Sequence, residues 1–134
     1  MKLNSEIKIA GKHILDRVSP YIIGEIACSH QGDFSNVIRL IDAVVNSGAD
    51  CVQLQIFDPS ANMVPKSKLY KILEKLNFSS DQWVQIINHA KKYEIDLSLF
   101  VYDEPSLELA IELKPDLLKL NSSELSNPTM LNAA

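Results

Sequence analysis

The sequence predicts an α/β fold of parallel strand–helix units behind a short β-hairpin. Three observations carry this. Apolar runs at residues 21–27, 51–57, 96–102 and 116–120 alternate with stretches whose apolar residues recur at helical spacing. The first half of the first run is apolar on both faces, as in a parallel strand covered on both sides. The runs end in polar residues, which places side chains with chemistry at the C-terminal tips of strands, where α/β proteins bind ligands.

Each element has its own signal. Residues 6–15 alternate apolar and polar around Gly11 and read as the hairpin, capping one end of the fold. After the strand at 21–27, Asp33 is the N-cap of a helix with Phe34, Val37, Ile38, Ile41, Val44 and Val45 on its apolar face, ended by Gly48. A strand at 51–57, a loop at 58–65 and a short helix at 66–76 follow. Ser79 to Asp81 cap a helix over 80–93 that turns Trp83, Ile86, Ile87 and Ala90 inward. The strand at 96–102 leads to a helix at 105–113 with Pro105 in its first turn, and the strand at 116–120 leads to a helix starting near Asn127 and Pro128. Parallel strands joined in this way need right-handed crossovers. Four βα units are half of an eight-stranded TIM-type barrel, which takes about 250 residues. Half a barrel leaves two open strand edges and an exposed interior. The expectation is a half or incomplete barrel: part of a longer protein, paired with another half or a second copy, or an open sheet.

With 134 residues and no linker or low-complexity tract, residues 1–134 read as a single domain with its own core. A net charge of −4 with no basic run argues against nucleic-acid and acidic-membrane partners. No apolar stretch approaches the roughly 20 residues of a membrane span, and the N-terminus is too polar for a signal peptide. Cys28 and Cys51 sit in or beside strand-like runs and read as reduced, buried thiols of a cytoplasmic protein. Neither belongs to a C-x-x-C pair, so a zinc site is not expected.

Four groups of residues fall at the strand tips. Glu25, Ser29, His30 and Gln31 follow the first strand. Gln53 and Gln55, two apart, point to one side of the second. Tyr102 and Asp103 follow the third, and Lys119, Ser122, Ser123 and Glu124 end the fourth. One ammonium, amides, hydroxyls and carboxylates suit an anionic, hydroxyl-rich ligand: lysine holds a carboxylate or phosphate, and glutamate and glutamine read sugar hydroxyls. Each position also has a plainer reading. Glu25 could pair with a lysine, although an acid in an apolar strand is costly without purpose. His30 could cap the next helix or bond the backbone. Asp103 reads first as an N-cap. Two amides facing the helices would be hard to satisfy, which favours the barrel interior for Gln53 and Gln55. His13 and His89 read as structural.

Three segments resemble the sialic acid synthase family (N-acetylneuraminate synthase and its legionaminic and pseudaminic acid relatives). YIIGEIACSHQGD is similar to an A-E-I-G-x-N-H-x-G-D signature, SGADCVQLQIF to A-G-A-D-x-V-K-x-Q, and LLKLNSSELSNPTML to K-I-x-S-G-E-x-x-N-x-P-L-L. The stretch from Trp83 to Ile95 fits in register. The resemblance runs from about residue 6 and implies the N-terminal half of a TIM-barrel synthase. Such enzymes join phosphoenolpyruvate to an N-acetylated hexosamine such as N-acetylmannosamine, giving a nine-carbon 2-keto acid and phosphate. A divalent metal, manganese or magnesium, activates the sugar aldehyde, C3 of phosphoenolpyruvate attacks it, and water adds at C2. The resemblance places the metal ligands on later strands, outside this chain, and adds an antifreeze-like domain that reaches into a partner subunit. By position, Glu25 and Gln55 would contact the amino sugar, Lys119 and Ser122 would hold phosphoenolpyruvate, and Glu124 would orient the sugar or the attacking water. Glu25 and Glu124 are thus the expected catalytic residues, with Gln53, Gln55, Lys119, Ser122 and His30 binding substrate.

The pattern departs at four positions. The family's strand-two lysine is Gln53, the strand-three threonine that meets phosphate is Phe100, the glycine before Glu124 is Ser123, and the asparagine before His30 is Ser29. A charged hydrogen bond is worth roughly 1.5–3 kcal/mol, so losing a lysine matters for an anionic substrate. Two functions follow: a condensing enzyme of which this chain carries part of the site, or a module of the same fold that binds a sugar or sugar phosphate without efficient catalysis.

Overall fold

The computed structural model describes residues 7–14 and 19–134. Strands β1 (Ile7–Ile9) and β2 (Lys12–Ile14) form the antiparallel hairpin. Its predicted outermost residues, Glu6 and Leu15, lie outside the described residues. Strands β3 (Ile23–Glu25), β4 (Cys51–Ile56), β5 (Asp96–Val101) and β6 (Leu117–Leu120) form one parallel sheet in the order β3-β4-β5-β6. The helices are α1 (Phe34–Asn46), α2 (Pro59–Asn62), α3 (Lys68–Leu76), α4 (Ser80–Ala90), α5 (Glu104–Leu113) and α6 (Pro128–Ala133). These are the parallel βα units of a TIM-type barrel, about four of the eight, behind an N-terminal hairpin.

Side-chain alternation divides the sheet. Val52, Leu54, Ile56, Leu97, Leu99 and Val101 face the helices and are at most 2% exposed. They meet Val37 and Ile41 of α1, Trp83, Ile86, Ile87 and Ala90 of α4, and Leu107 and Ala110 of α5. Gly24 belongs to this face because α1 lies so close: a Cβ there would stand 2.4 Å from Val44 Cγ1. The hairpin is tied to the N-terminal end of the sheet. Lys12 Nζ donates to Asp96 Oδ2 at 2.9 Å and Tyr21 Oη to the same oxygen at 2.7 Å. Burial there pushes the Cys51 thiol up to about 11.

Three elements differ from expectation. The first strand is three residues long, not 21–27: Ala27 takes a positive φ of 49°, which turns the chain out of the sheet. As an edge strand it leaves Ile22 and Ile23 52% and 44% exposed, so it is not covered on both faces. The loop at 58–65 contains one helical turn, α2, because Asp58 caps it and Pro59 fits its first position. Residues Ser122–Ser126 form a 3₁₀ turn before α6. Cys28 is half-buried rather than buried. Among the described residues no helix is long and apolar enough to cross a membrane.

The turn from β3 into α1 is built on His30. Its ring is 2% exposed and packs 4.9 Å from Phe78, which itself meets Phe34 and Trp83. His30 Nδ1 accepts from Gly32 N–H at 3.0 Å. Gly32 has φ +76°, and any Cβ would lie 2.0 Å from the Lys75 carbonyl oxygen at the end of α3. Asp33 then caps α1 by accepting from Asn36 N–H at 3.0 Å.

Two predictions follow from this packing. Gly24→Ala overpacks the β3–α1 contact and lowers stability by about 1–3 kcal/mol, read from urea midpoints, and Val44→Ala in the same chain recovers part of the loss. Burial holds the His30 pKa below its ordinary value. The folded chain therefore keeps the neutral ring while the unfolded chain takes up a proton below about 6.5. Stability is undiminished above that pH and falls as pH drops through it. Between about pH 7.5 and 5.5 the urea midpoint declines, and His30→Gln, which keeps an acceptor for Gly32, declines less.

Candidate functional site

The sheet face opposite the helices carries the polar residues. Register places Glu25, Gln53, Ser98 and Leu117 in one row and Gln55, Phe100 and Lys119 in the next, nearer the C-terminal ends of the strands. Gln55 Nε2 donates to Glu25 Oε1 at 3.0 Å, joining two predicted sugar-binding positions. Cys28 Sγ lies 3.7 Å from Gln55 Oε1. Gln53 is 4% exposed and accepts from Ser98 Oγ at 3.4 Å, so both glutamines do face the barrel interior. At the far edge Lys119 Nζ sits 4.1 Å from the centroid of the Phe100 ring. Glu25 and Lys119 thus lie on the two outer strands of the sheet, three strands apart.

A cavity of about 260 Å³ opens beside Gln55, walled by Cys28, Phe57, Asn62, Met63, Leu73 and Tyr102. A second, of about 280 Å³, shares Asn62 and Tyr102 with it and reaches Asp103, Glu124 and Asn127. The Tyr102 ring lines both, its centroid 4.4 Å from that of Phe100 with the planes tilted by 36°, and edge-on to Phe57 at 6.3 Å. Burial, then the nearby Glu25 and Cys28, raises its pKa, so the phenol stays protonated at neutral pH. Burial likewise raises the Cys28 thiol.

The remaining residues take different places. Glu124 is half-buried in the 3₁₀ turn, where Ser123 Oγ donates to Oε1 at 3.0 Å and Asn127 Nδ2 to Oε2 at 2.9 Å. Ser122 opens that turn and is exposed. His30 is buried in its own turn against Phe78 and is not brought to either cavity; the plainer reading of this residue describes its position. Asp103 is the N-cap of α5, accepting from Ser106 N–H at 2.8 Å, and it also accepts from Asp58 N–H at 2.8 Å and from Asn62 Nδ2. That second oxygen ties the α2 turn to β5 and so sets Asn62 between the cavities. Sequence reasoning passed over Asn62, Met63 and Phe57. The Asp58-Pro59 pair was the available signal that this loop has structure.

Among the described residues no three His, Cys, Asp or Glu side chains gather as a metal site. Of the three acids that line the second cavity, Asp103, Glu104 and Glu124, the first and last already have both oxygens bonded by the protein. These residues do not by themselves fit a divalent ion.

Comparison with known proteins agrees with this architecture. The chain is 31% identical to the N-acetylneuraminate-9-phosphate synthase of Drosophila melanogaster, over 94% of this chain and 37% of that protein. It is 28% identical to the N,N'-diacetyllegionaminic acid synthase of Campylobacter jejuni, over 79% of this chain and 36% of that protein. The chain thus spans a little over a third of the length of the curated relatives it matches. The crystal structure of the N-acetylneuraminic acid synthetase of Leptospira borgpetersenii shares the fold, with a TM-score of 0.84 at 22% identity, over 96% of this chain and 45% of that one. The sequence profile of the NeuB family matches residues 40–134, and the chain belongs to the NeuB family.

Proposed function

We infer that the full-length protein condenses phosphoenolpyruvate with an N-acetylated hexosamine, forming a nine-carbon 2-keto acid and releasing phosphate, and that this chain supplies one wall of the site. The single observation that carries the reading is the polar inner face towards the C-terminal ends of the strands: the Glu25–Gln55 pair on one side, Lys119 over Phe100 on the other, on one face of four parallel strands. In this reading Lys119, with Ser122, holds the anionic donor, and Glu25 and Gln55 fix the acceptor by its hydroxyl and amide groups. Glu124 directs a sugar hydroxyl or the water that adds at C2. The new bond joins C3 of phosphoenolpyruvate to the aldehyde carbon of the open-chain sugar, and phosphate leaves from C2. A divalent ion belongs to the expected chemistry of this family. Its ligands would come from outside the described residues. Free Cys28 and Cys51 are consistent with a cytoplasmic location.

A second reading has its own support. Gln53, neutral and buried against Ser98, stands where the resemblance expects a cation. A rim with that charge missing could bind a sugar without turning it over. Calorimetry of the full-length protein with phosphoenolpyruvate and manganese separates the two, since only the enzyme reading expects heat from both.

The assay is phosphate release from phosphoenolpyruvate and N-acetylmannosamine by the full-length protein. Turnover is expected, and Glu25→Ala and Lys119→Ala each lower kcat/KM about 10- to 100-fold, the loss of one charged hydrogen bond. Lys119→Ala acts on the phosphoenolpyruvate KM and Glu25→Ala on the sugar. Residues 1–134 alone release no phosphate. Turnover by that piece, or wild-type rates in both variants, contradicts the assignment.

A further inference from the structure

We propose that Phe100 is a positioning residue whose ring holds the Lys119 ammonium at the sheet's inner face while leaving its charge available to an anion. This rests on Lys119 acting as the anion ligand described above. The two residues are direct partners in the β5–β6 register, and Nζ sits 4.1 Å from the ring centroid, well inside cation–π range. The ring has its own support: Tyr102 packs against it at a tilt, centroids 4.4 Å apart, and Phe57 braces Tyr102 edge-on. An aromatic shelf therefore runs from the Gln55 cavity to the lysine.

The choice of a ring has a physical consequence. A flexible lysine must be held to act as a point ligand, because free rotamers lose entropy on binding. The usual device is a carboxylate, as Asp96 holds Lys12 at the other end of the sheet. A carboxylate would cancel most of the charge and compete with an anionic ligand. Among the described residues Lys119 has no carboxylate within ion-pair distance; the ion pairs present are Lys12–Asp96 and His89–Asp42. The π face attracts the ammonium through its quadrupole and carries no net charge. With Gln53 and Gln55 neutral, Lys119 is the cation of this face among the described residues, and Phe100 keeps it uncompensated. Phe100, a departure that removes an anion ligand when read from sequence, becomes support for the lysine that remains.

Proton NMR of the full-length protein carrying ¹³C-labelled lysine tests this, with Lys119→Arg assigning the signal. Ring currents should shift the Lys119 Hε resonances upfield in the wild type. The shift should persist in Phe100→Tyr and vanish in Phe100→Leu, which keeps apolar bulk without a ring. Calorimetric titration with phosphoenolpyruvate is the second arm: Phe100→Leu should weaken binding about two- to fivefold and Phe100→Tyr should bind as the wild type. Unshifted Hε resonances in the wild type, or equal affinity in wild type and Phe100→Leu, overturn the proposal. A shifted resonance in a wild type that binds no phosphoenolpyruvate supports the ring–ammonium contact and instead removes the functional reading on which its purpose rests.

Discussion

Alternation along β4 and β5 decides what the rim can do. Six aliphatic side chains on one face of these strands are sealed against α1, α4 and α5, each worth about 1.5–3 kcal/mol in burial. The residues between them have no choice of side: Gln53, Gln55, Ser98 and Phe100 must look the other way. A slip of one position would turn the aliphatic set outward and bury two amides against helices, at about 1–3 kcal/mol for each unsatisfied group. Both costs act in the same direction. The packing of the outer face thus fixes the chemistry of the inner one before any ligand is considered.

That constraint is why so much was legible in the sequence. The period of two placed the glutamines inside, and the helical stripes named Trp83, Ile86, Ile87 and Ala90, all of which are buried. Asp33 and Ser79 were readable as caps, since an N-cap is decided by its own side chain and the backbone three residues on. The Glu25–Gln55 contact was legible only as a shared position at one rim; the hydrogen bond itself depends on the register of β3 against β4.

What escaped the sequence depends on contacts far apart in the chain. The α2 turn is held by Asp103, 41 to 45 residues away, so nothing within residues 58–65 reveals how firmly Asn62 is placed. His30 carries the marks of a functional residue at a strand tip, yet Phe78 comes from the far side of α3 to bury it. Lys119 and Phe100 are 19 positions apart and meet because β5 and β6 pair in one register rather than a neighbouring one. β3 ends early because Ala27 takes a positive φ, a backbone choice that the apolar run 21–27 does not record.

The acids at the rim show how structure and chemistry compete for one residue type. Helix N-termini cluster at the C-terminal ends of the strands, and each wants an acceptor for its free N–H groups. Asp33, Asp58 and Asp103 are taken for that purpose. Glu124 accepts from Ser123 and Asn127 through both oxygens, which orients it and lowers its capacity for further partners. Glu25 differs in origin, being the last residue of a strand and not the first position before a helix. Among the described residues its carboxylate accepts from Gln55 alone, through one of two oxygens. A carboxylate offers about four acceptor sites, so Glu25 keeps most of its capacity for a ligand. Unlike Asp33, Asp58 and Asp103, it is an acid that no helix cap consumes, and it stands on the inner face of the sheet, beside Gln55.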